Sequence, residues 1–122
     1  MRKNSFLAAI CIFLLFSFVG ARRSLVGHWK VAYGNKHTGE MVCHSNGHFE
    51  ATFKGETWKV GGEYKSDGAT VSISDSSCGF GYWAKYRTNW FSDDSVSFSV
   101  IEDSCSGRKS DGDGAVLVRM KK

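Results

Sequence analysis

The 122-residue sequence contains no proline, no low-complexity tract and no apolar period of helix length. It also lacks a Gly-x-Ser-x-Gly elbow, a His-Glu-x-x-His motif and a glycine-rich phosphate loop. The common signatures of serine hydrolases, zinc proteases and nucleotide-binding enzymes are therefore missing. We expect a protein that is not an enzyme and that has no cofactor.

Long apolar runs are missing except at the N-terminus. Two basic residues there precede an uncharged run over residues 5–20, and small residues, Val19 and Ala21, occupy the positions before a cleavage site. The run is shorter than the roughly 20 residues of a membrane span. The sequence predicts a signal peptide over 1–21, one mature domain over 22–122, and secretion without membrane attachment. A retained signal anchor is the alternative.

The predicted mature chain has no strong excess of positive or negative charge. Loss of Arg2 and Lys3 with the leader reduces the 16 basic side chains to 14, against 12 acidic ones. The mature chain is therefore nearly neutral, whereas binding to a phosphate backbone requires clustered Lys and Arg. We expect no nucleic-acid partner.

Cysteine is scarce. Three of the four cysteines remain after removal of the leader, namely Cys43, Cys78 and Cys105. Because three thiols cannot all pair within one chain, an oxidising compartment predicts one disulfide and one thiol that is buried or pairs between molecules. The paired-cysteine spacing of structural zinc is absent, so we expect no metal site.

Short runs of alternating apolar and polar residues, separated by Gly, Asn, Asp and Ser, fill the mature chain. Such runs are typical of half-buried β-strands, and the longest candidate covers residues 80–91. About eight strands joined by neighbouring turns predict an all-β fold, a small antiparallel up-and-down barrel, because closure removes unpaired edges. A two-layer β-sandwich is the alternative. We expect helix only for a turn or so in loops.

The alternation places seven aromatic side chains on the predicted inward faces: Phe49, Phe53, Trp58, Tyr64, Tyr82, Tyr86 and Trp90. One interpretation is a core that fills the barrel completely. The other is a pocket for an apolar or flat ligand, in which the tyrosine hydroxyls are the polar groups that orient it.

Two short motifs lie near the ends of the mature chain. They are Leu25-Val26-Gly27-His28-Trp29-Lys30 and Val118-Arg119. The first resembles the Gly-x-Trp strand that begins the barrels of small secreted lipocalin-like domains, in the calycin group, and the second resembles their last strand. The resemblance implies that the Arg119 guanidinium lies over Trp29 as a structural latch, a contact worth roughly 0.5 to 2 kcal/mol.

A third motif, Asp103-Ser104-Cys105-Ser106-Gly107-Arg108, follows Cys78. It resembles the D-x-C-x-G-R block of the same domains. The resemblance implies a Cys78–Cys105 disulfide, which closes a loop of about 27 residues and contributes on the order of 3 to 4 kcal/mol. Cys43 would then be the cysteine left outside this disulfide.

The residues around this block are expected to have a structural role. Glu102, Asp103 and Arg108 would brace the loop around Cys105 rather than carry chemistry. A polar loop over residues 104–114 separates them from the last strand.

The lipocalin-like resemblance and the aromatic faces together predict a secreted binding protein whose cargo is a small apolar or aromatic molecule. The alternative is a protein-interaction module, such as a secreted inhibitor or effector, in which a filled barrel carries variable loops. The polar loop over residues 104–114 would then contact an extracellular protein. We expect a monomer, or a dimer if Cys43 pairs between chains.

Overall fold

Eight antiparallel strands follow one another around a closed barrel in the computed structural model, which describes residues 23–121. The elements are β1 (Gly27–Ala32), β2 (Thr38–Cys43), β3 (His48–Phe53), β4 (Lys59–Ser66), β5 (Thr70–Asp75), β6 (Ala84–Ser92), β7 (Ser95–Glu102), α1 (Ser106–Gly112) and β8 (Val116–Arg119). The prediction of an all-β up-and-down barrel is confirmed. The predicted signal peptide lies outside the described residues.

The connections between strands divide the barrel into two ends. The turns β2–β3, β4–β5 and β6–β7 lie at one end, which we call the base, together with residues 23–26. The connections β1–β2, β3–β4, β5–β6 and β7–β8 lie at the other, which we call the open end. Because β1 pairs with both β2 and β8, the sheet has no free edge.

The half of the barrel nearer the base is filled by side chains from alternating strand positions. Trp29, Val71, Val96 and Leu117 are at most 1% exposed and form its core. Burial of these apolar side chains removes their surface from water, which is the main favourable contribution to the stability of a domain this small.

The strand predicted over residues 80–91 begins later than predicted. β6 begins at Ala84 rather than at residue 80, because residues 76–83 form turns in which Gly79 and Gly81 have φ angles of 83° and 93°. Tyr82 therefore lies outside the sheet and is 64% exposed, so its predicted inward position is wrong. Similarly, β4 begins at Lys59, which leaves Trp58 in the preceding connection.

The predicted polar loop over residues 104–114 contains α1, a seven-residue helix of about two turns. This is longer than the expected single turn. The helix crosses the open end and packs against the barrel so closely that a Cβ on Gly112 would lie 2.8 Å from the Tyr86 ring.

Arg119 closes the base. Its guanidinium carbon lies 4.2 Å from the centre of the Trp29 ring. Its Nε donates to the Asp94 carboxylate at 2.9 Å, and its two terminal nitrogens donate to the backbone oxygens of Ser24, Val26 and Asp93. The latch therefore joins β8 to the N-terminal segment and to the β6–β7 turn.

The glycine of the Gly-x-Trp motif leaves room for this latch. Gly27 has a φ angle of 136°, and a Cβ at this position would lie 2.6 Å from Arg119 Nη1. Trp29 is held in turn, because its Nε1 donates to the backbone oxygen of Leu25 at 2.8 Å.

Replacement of Arg119 with alanine removes four hydrogen bonds and the cation–π contact. We expect the free energy of unfolding in urea to fall by about 2 to 3 kcal/mol. Arg119→Lys should recover only part of the loss, because an ammonium lacks the planar fork of the guanidinium. The control is Arg87→Ala, an exposed arginine on β6. Equal losses for Arg119→Ala and Arg87→Ala would contradict the latch.

Candidate functional site

An apolar cavity of about 190 Å³ lies inside the barrel toward the open end. Its apolar walls include Met41, Phe49, Ala51, Phe53, Val60 and Phe98. α1 and the β3–β4 and β5–β6 connections surround its mouth. For comparison, an engineered apolar cavity of about 150 Å³ stays dry and binds benzene. The space therefore suits a molecule of about one six-membered ring.

Four of the seven aromatic residues predicted to face inward line this cavity, namely Phe49, Phe53, Trp58 and Tyr86. The other three do not. The Tyr64 hydroxyl donates to the backbone oxygen of His44 at 2.6 Å, near the base. Trp90 packs edge-on against Trp29, with ring centres 6.2 Å apart. Tyr82 is exposed in the β5–β6 connection.

A row of three aromatic rings forms one side of the cavity. Tyr33 stacks on Phe53 with ring centres 4.4 Å apart, and Phe53 contacts Trp58 at 5.0 Å. Trp58 is 53% exposed at the mouth, where its Nε1 donates to the Glu56 carboxylate.

Polar side chains also line the cavity, and the central one is Arg108 on α1. Arg108 is buried, and its Nε and Nη2 donate to the Asp103 carboxylate at 3.0 to 3.2 Å. Nη2 also donates to the backbone oxygen of Tyr82 at 2.9 Å. Arg108 thus joins α1, the end of β7 and the β5–β6 connection.

Three charged residues, Glu102, Asp103 and Arg108, were expected to brace the loop around Cys105, and two of them do so. Asp103 and Arg108 form the buried pair, and Asp103 also accepts a hydrogen bond from the backbone N–H of Cys105. Glu102 is exposed at the end of β7.

Burial and hydrogen bonding set the ionisation of these groups. Burial alone would raise the pKa of Asp103, but hydrogen bonds from Arg108 and Tyr86 outweigh it, so this pKa is lowered. Burial and the bond to Asp103 raise the pKa of Tyr86. Burial likewise raises the pKa of Tyr33. The carboxylate is therefore ionised and both phenols are neutral at pH 7.

Two further carboxyl groups line the cavity, Asp75 at the end of β5 and Asp111 on α1. Burial raises the pKa of Asp111, although the side-chain amide of Asn35 donates to it and partly offsets this effect. Asp75 accepts hydrogen bonds from the backbone N–H and the hydroxyl of Ser77.

Sequence reasoning missed Tyr33, Asp75, Arg108 and Asp111 as cavity residues. The alternation carries a signal for two of them, because Tyr33 follows Trp29 and Val31 at steps of two, and Asp75 similarly continues β5. No comparable signal identifies Arg108 or Asp111, since α1 is too short for a helical period.

The remaining cysteines differ in environment. Cys78 and Cys105 form a disulfide that ties the β5–β6 connection to the start of α1, beside the cavity. Cys43 is a buried free thiol in the core, 4% exposed. Burial raises the pKa of Cys43 to about 12, so this thiol stays protonated and unreactive at neutral pH.

Comparison with known proteins yields no match among family models, curated proteins or solved structures. Within residues 23–121, no helix has the length and apolar character needed to cross a membrane. The barrel and its cavity therefore provide the observations from which a function can be proposed.

Replacement of Asp103 with asparagine removes the hydrogen-bonded carboxylate of the buried Arg108 and leaves it only the Asp75 carboxylate, 3.8 Å away. We expect the free energy of unfolding at pH 7 to fall by about 3 kcal/mol. Because the pKa of Asp103 is lowered in the folded protein, its contribution to stability is present at neutral pH and lost in acid. The difference in unfolding free energy between wild type and Asp103→Asn should therefore become smaller below about pH 4.

Urea unfolding of both proteins between pH 3 and pH 7 measures this difference. Asp93→Asn is the matched control, because the Asp93 side chain is 66% exposed at the base. A difference that stays constant down to pH 3 would show that the charge of Asp103 does not stabilise the fold.

Proposed function

We propose that this protein is a secreted, non-enzymatic carrier of lipocalin-like type that holds a small, ring-sized apolar molecule inside its barrel. The observation that carries the proposal is the apolar cavity of about 190 Å³ between Phe49, Phe53 and Phe98. The barrel closed by Trp29 and Arg119 supports the lipocalin-like type. The Cys78–Cys105 disulfide supports an extracellular location, because disulfides persist in oxidising compartments.

The cavity is costly for a protein that only needs to fold. An unfilled apolar space loses packing contacts, at about 24 cal/mol per Å³. Small residues, Ala51 and Ala115, occupy wall positions at which a larger side chain would fill part of the space. A ligand that regains these contacts would offset the cost, which favours a binding role over a purely structural core.

The polar groups of the cavity favour binding over catalysis. No histidine is among the residues that line the cavity, so the Ser77 hydroxyl has no imidazole base beside it. Arg108 is already paired with Asp103. The neutral phenols donate elsewhere, Tyr33 to the backbone oxygen of Thr52 and Tyr86 to Asp103.

A neutral one-ring probe tests the carrier function. We expect benzyl alcohol to bind the purified protein at one site with a dissociation constant between about 0.1 and 1 mM, the range set by the contacts available to eight heavy atoms. Ala51→Leu should weaken this binding at least about tenfold by filling the cavity. Chemical-shift titration locates the site and measures both constants.

The matched control for Ala51→Leu is Thr52→Leu, which places the same side chain on the exposed face of the same strand. Thr52→Leu should bind benzyl alcohol as the wild type does. No binding to the wild type, or equal affinity in wild type and Ala51→Leu, would overturn the carrier function.

A second candidate function is an interaction with an extracellular protein. Two exposed aromatic side chains of the β5–β6 connection favour it, Phe80 at 69% and Tyr82 at 64% exposure. The Cys78–Cys105 disulfide ties this connection to the polar loop over residues 104–114, whose helix α1 has exposed residues at 106, 107, 109 and 110, so both segments would form the interaction surface.

Replacement of both Phe80 and Tyr82 with serine should reduce capture of an extracellular partner at least about tenfold, because exposed aromatic side chains dominate many interfaces. Pull-down from the medium surrounding the source cells, with quantification of the captured protein, measures the effect. Phe91→Ser is the control, since Phe91 is 67% exposed near the base. Equal loss in the control variant would argue against this surface.

A further inference from the structure

We propose that the ligand carries a protonated amine, so that the cavity selects a ring-sized cation over a neutral molecule or a carboxylate of the same shape. This inference rests on the carrier function proposed above. Its basis is an excess of negative charge at the cavity: Asp75 and Asp111 line it, and the guanidinium that lines it, Arg108, is shared between Asp75 and the neighbouring Asp103.

Asp75 provides the first carboxylate. Its side chain is only 5% exposed and lines the cavity. Oδ1 accepts hydrogen bonds from Ser77, and Oδ2 forms a long salt bridge with Arg108 Nη1 at 3.8 Å, which is beyond hydrogen-bond distance. A ligand ammonium in the cavity would donate a hydrogen bond to this carboxylate directly.

Asp111 provides the second carboxylate, from α1 above the mouth. Asn35 donates a hydrogen bond to its Oδ1. The ionisable groups near it are Tyr33, which is neutral, His37 and Asp75. Burial and repulsion from Asp75 raise the pKa of Asp111, whereas Asn35 and His37 lower it, so the two carboxylates lie close enough to interact.

Arg108 does not supply the missing positive charge. Its Nε and Nη2 are engaged by Asp103, and Nη2 also donates to the backbone oxygen of Tyr82. Its remaining nitrogen, Nη1, donates to the backbone oxygen of Ile73 at 3.5 Å and lies 3.8 Å from Asp75 Oδ2. One guanidinium is thus shared by two carboxylates, and the resulting negative field would repel an anionic ligand.

The aromatic side of the cavity fits the same ligand. The rings of Tyr33, Phe53 and Trp58 line the space in which the body of the ligand would lie. Aromatic side chains bury large apolar areas and pair with flat groups in offset or edge-to-face geometry. The cavity thus combines aromatic rings for the ring of the ligand with carboxylates for its ammonium group.

Three probes that share one ring test the charge preference: benzylamine, benzyl alcohol and benzoate, which are a cation, a neutral molecule and an anion at pH 7. We expect benzylamine to bind at least about tenfold more tightly than benzyl alcohol, and benzoate at least about tenfold more weakly. Chemical-shift titration at constant ionic strength measures all three dissociation constants on the full-length mature protein.

Two nearly isosteric variants identify the groups responsible. Asp75→Asn and Asp111→Asn should each weaken benzylamine binding about tenfold more than they weaken benzyl alcohol binding. Binding of benzyl alcohol also shows that each variant is folded. Asp93→Asn, at the base, removes the same charge far from the cavity and should leave all three affinities unchanged.

The outcomes separate this inference from the function on which it rests. Binding of benzyl alcohol or benzoate as tightly as benzylamine overturns the amine preference and keeps the carrier function. Benzylamine binding that is unchanged in both cavity variants also overturns it. Failure of all three probes to bind overturns the carrier function itself, and the amine preference with it.

Discussion

The buried ion pair between Arg108 and Asp103 is the interaction on which the open end depends. The guanidinium holds α1 to the end of β7 and, through the backbone oxygen of Tyr82, to the β5–β6 connection. The Cys78–Cys105 disulfide joins the same segments covalently. Because several kcal/mol are lost when one member of such a pair is left alone, the helix is kept over the barrel and the space beneath it is preserved.

The two ends of the barrel therefore have different roles. At the base, Arg119 and Trp29 close a densely packed core, in which a filled interior gives stability. At the open end, Ala51 and the aromatic row leave an apolar cavity, and Asp75 and Asp111 are among the residues that line it. A chain of this size can keep such a cavity because closure of the sheet and the disulfide supply stability elsewhere.

Most of the barrel was predictable from the sequence, because alternation of apolar and polar residues is a local signal that each strand carries by itself. The start of β6 was not, since the turns at Gly79 and Gly81 and the disulfide remove Tyr82 from the sheet. The aromatic side of the cavity followed in part from alternation. The position of Asp111 did not, because it depends on how α1 packs against distant strands.

The barrel holds a stable apolar space beneath α1, and xenon tests for this space without assuming any ligand. Xenon enters dry apolar cavities of this size because its contacts are purely dispersive. A crystal structure under xenon pressure is expected to show xenon between Phe49, Phe53 and Phe98. A barrel without xenon, in which these side chains have closed over the space, would contradict the account.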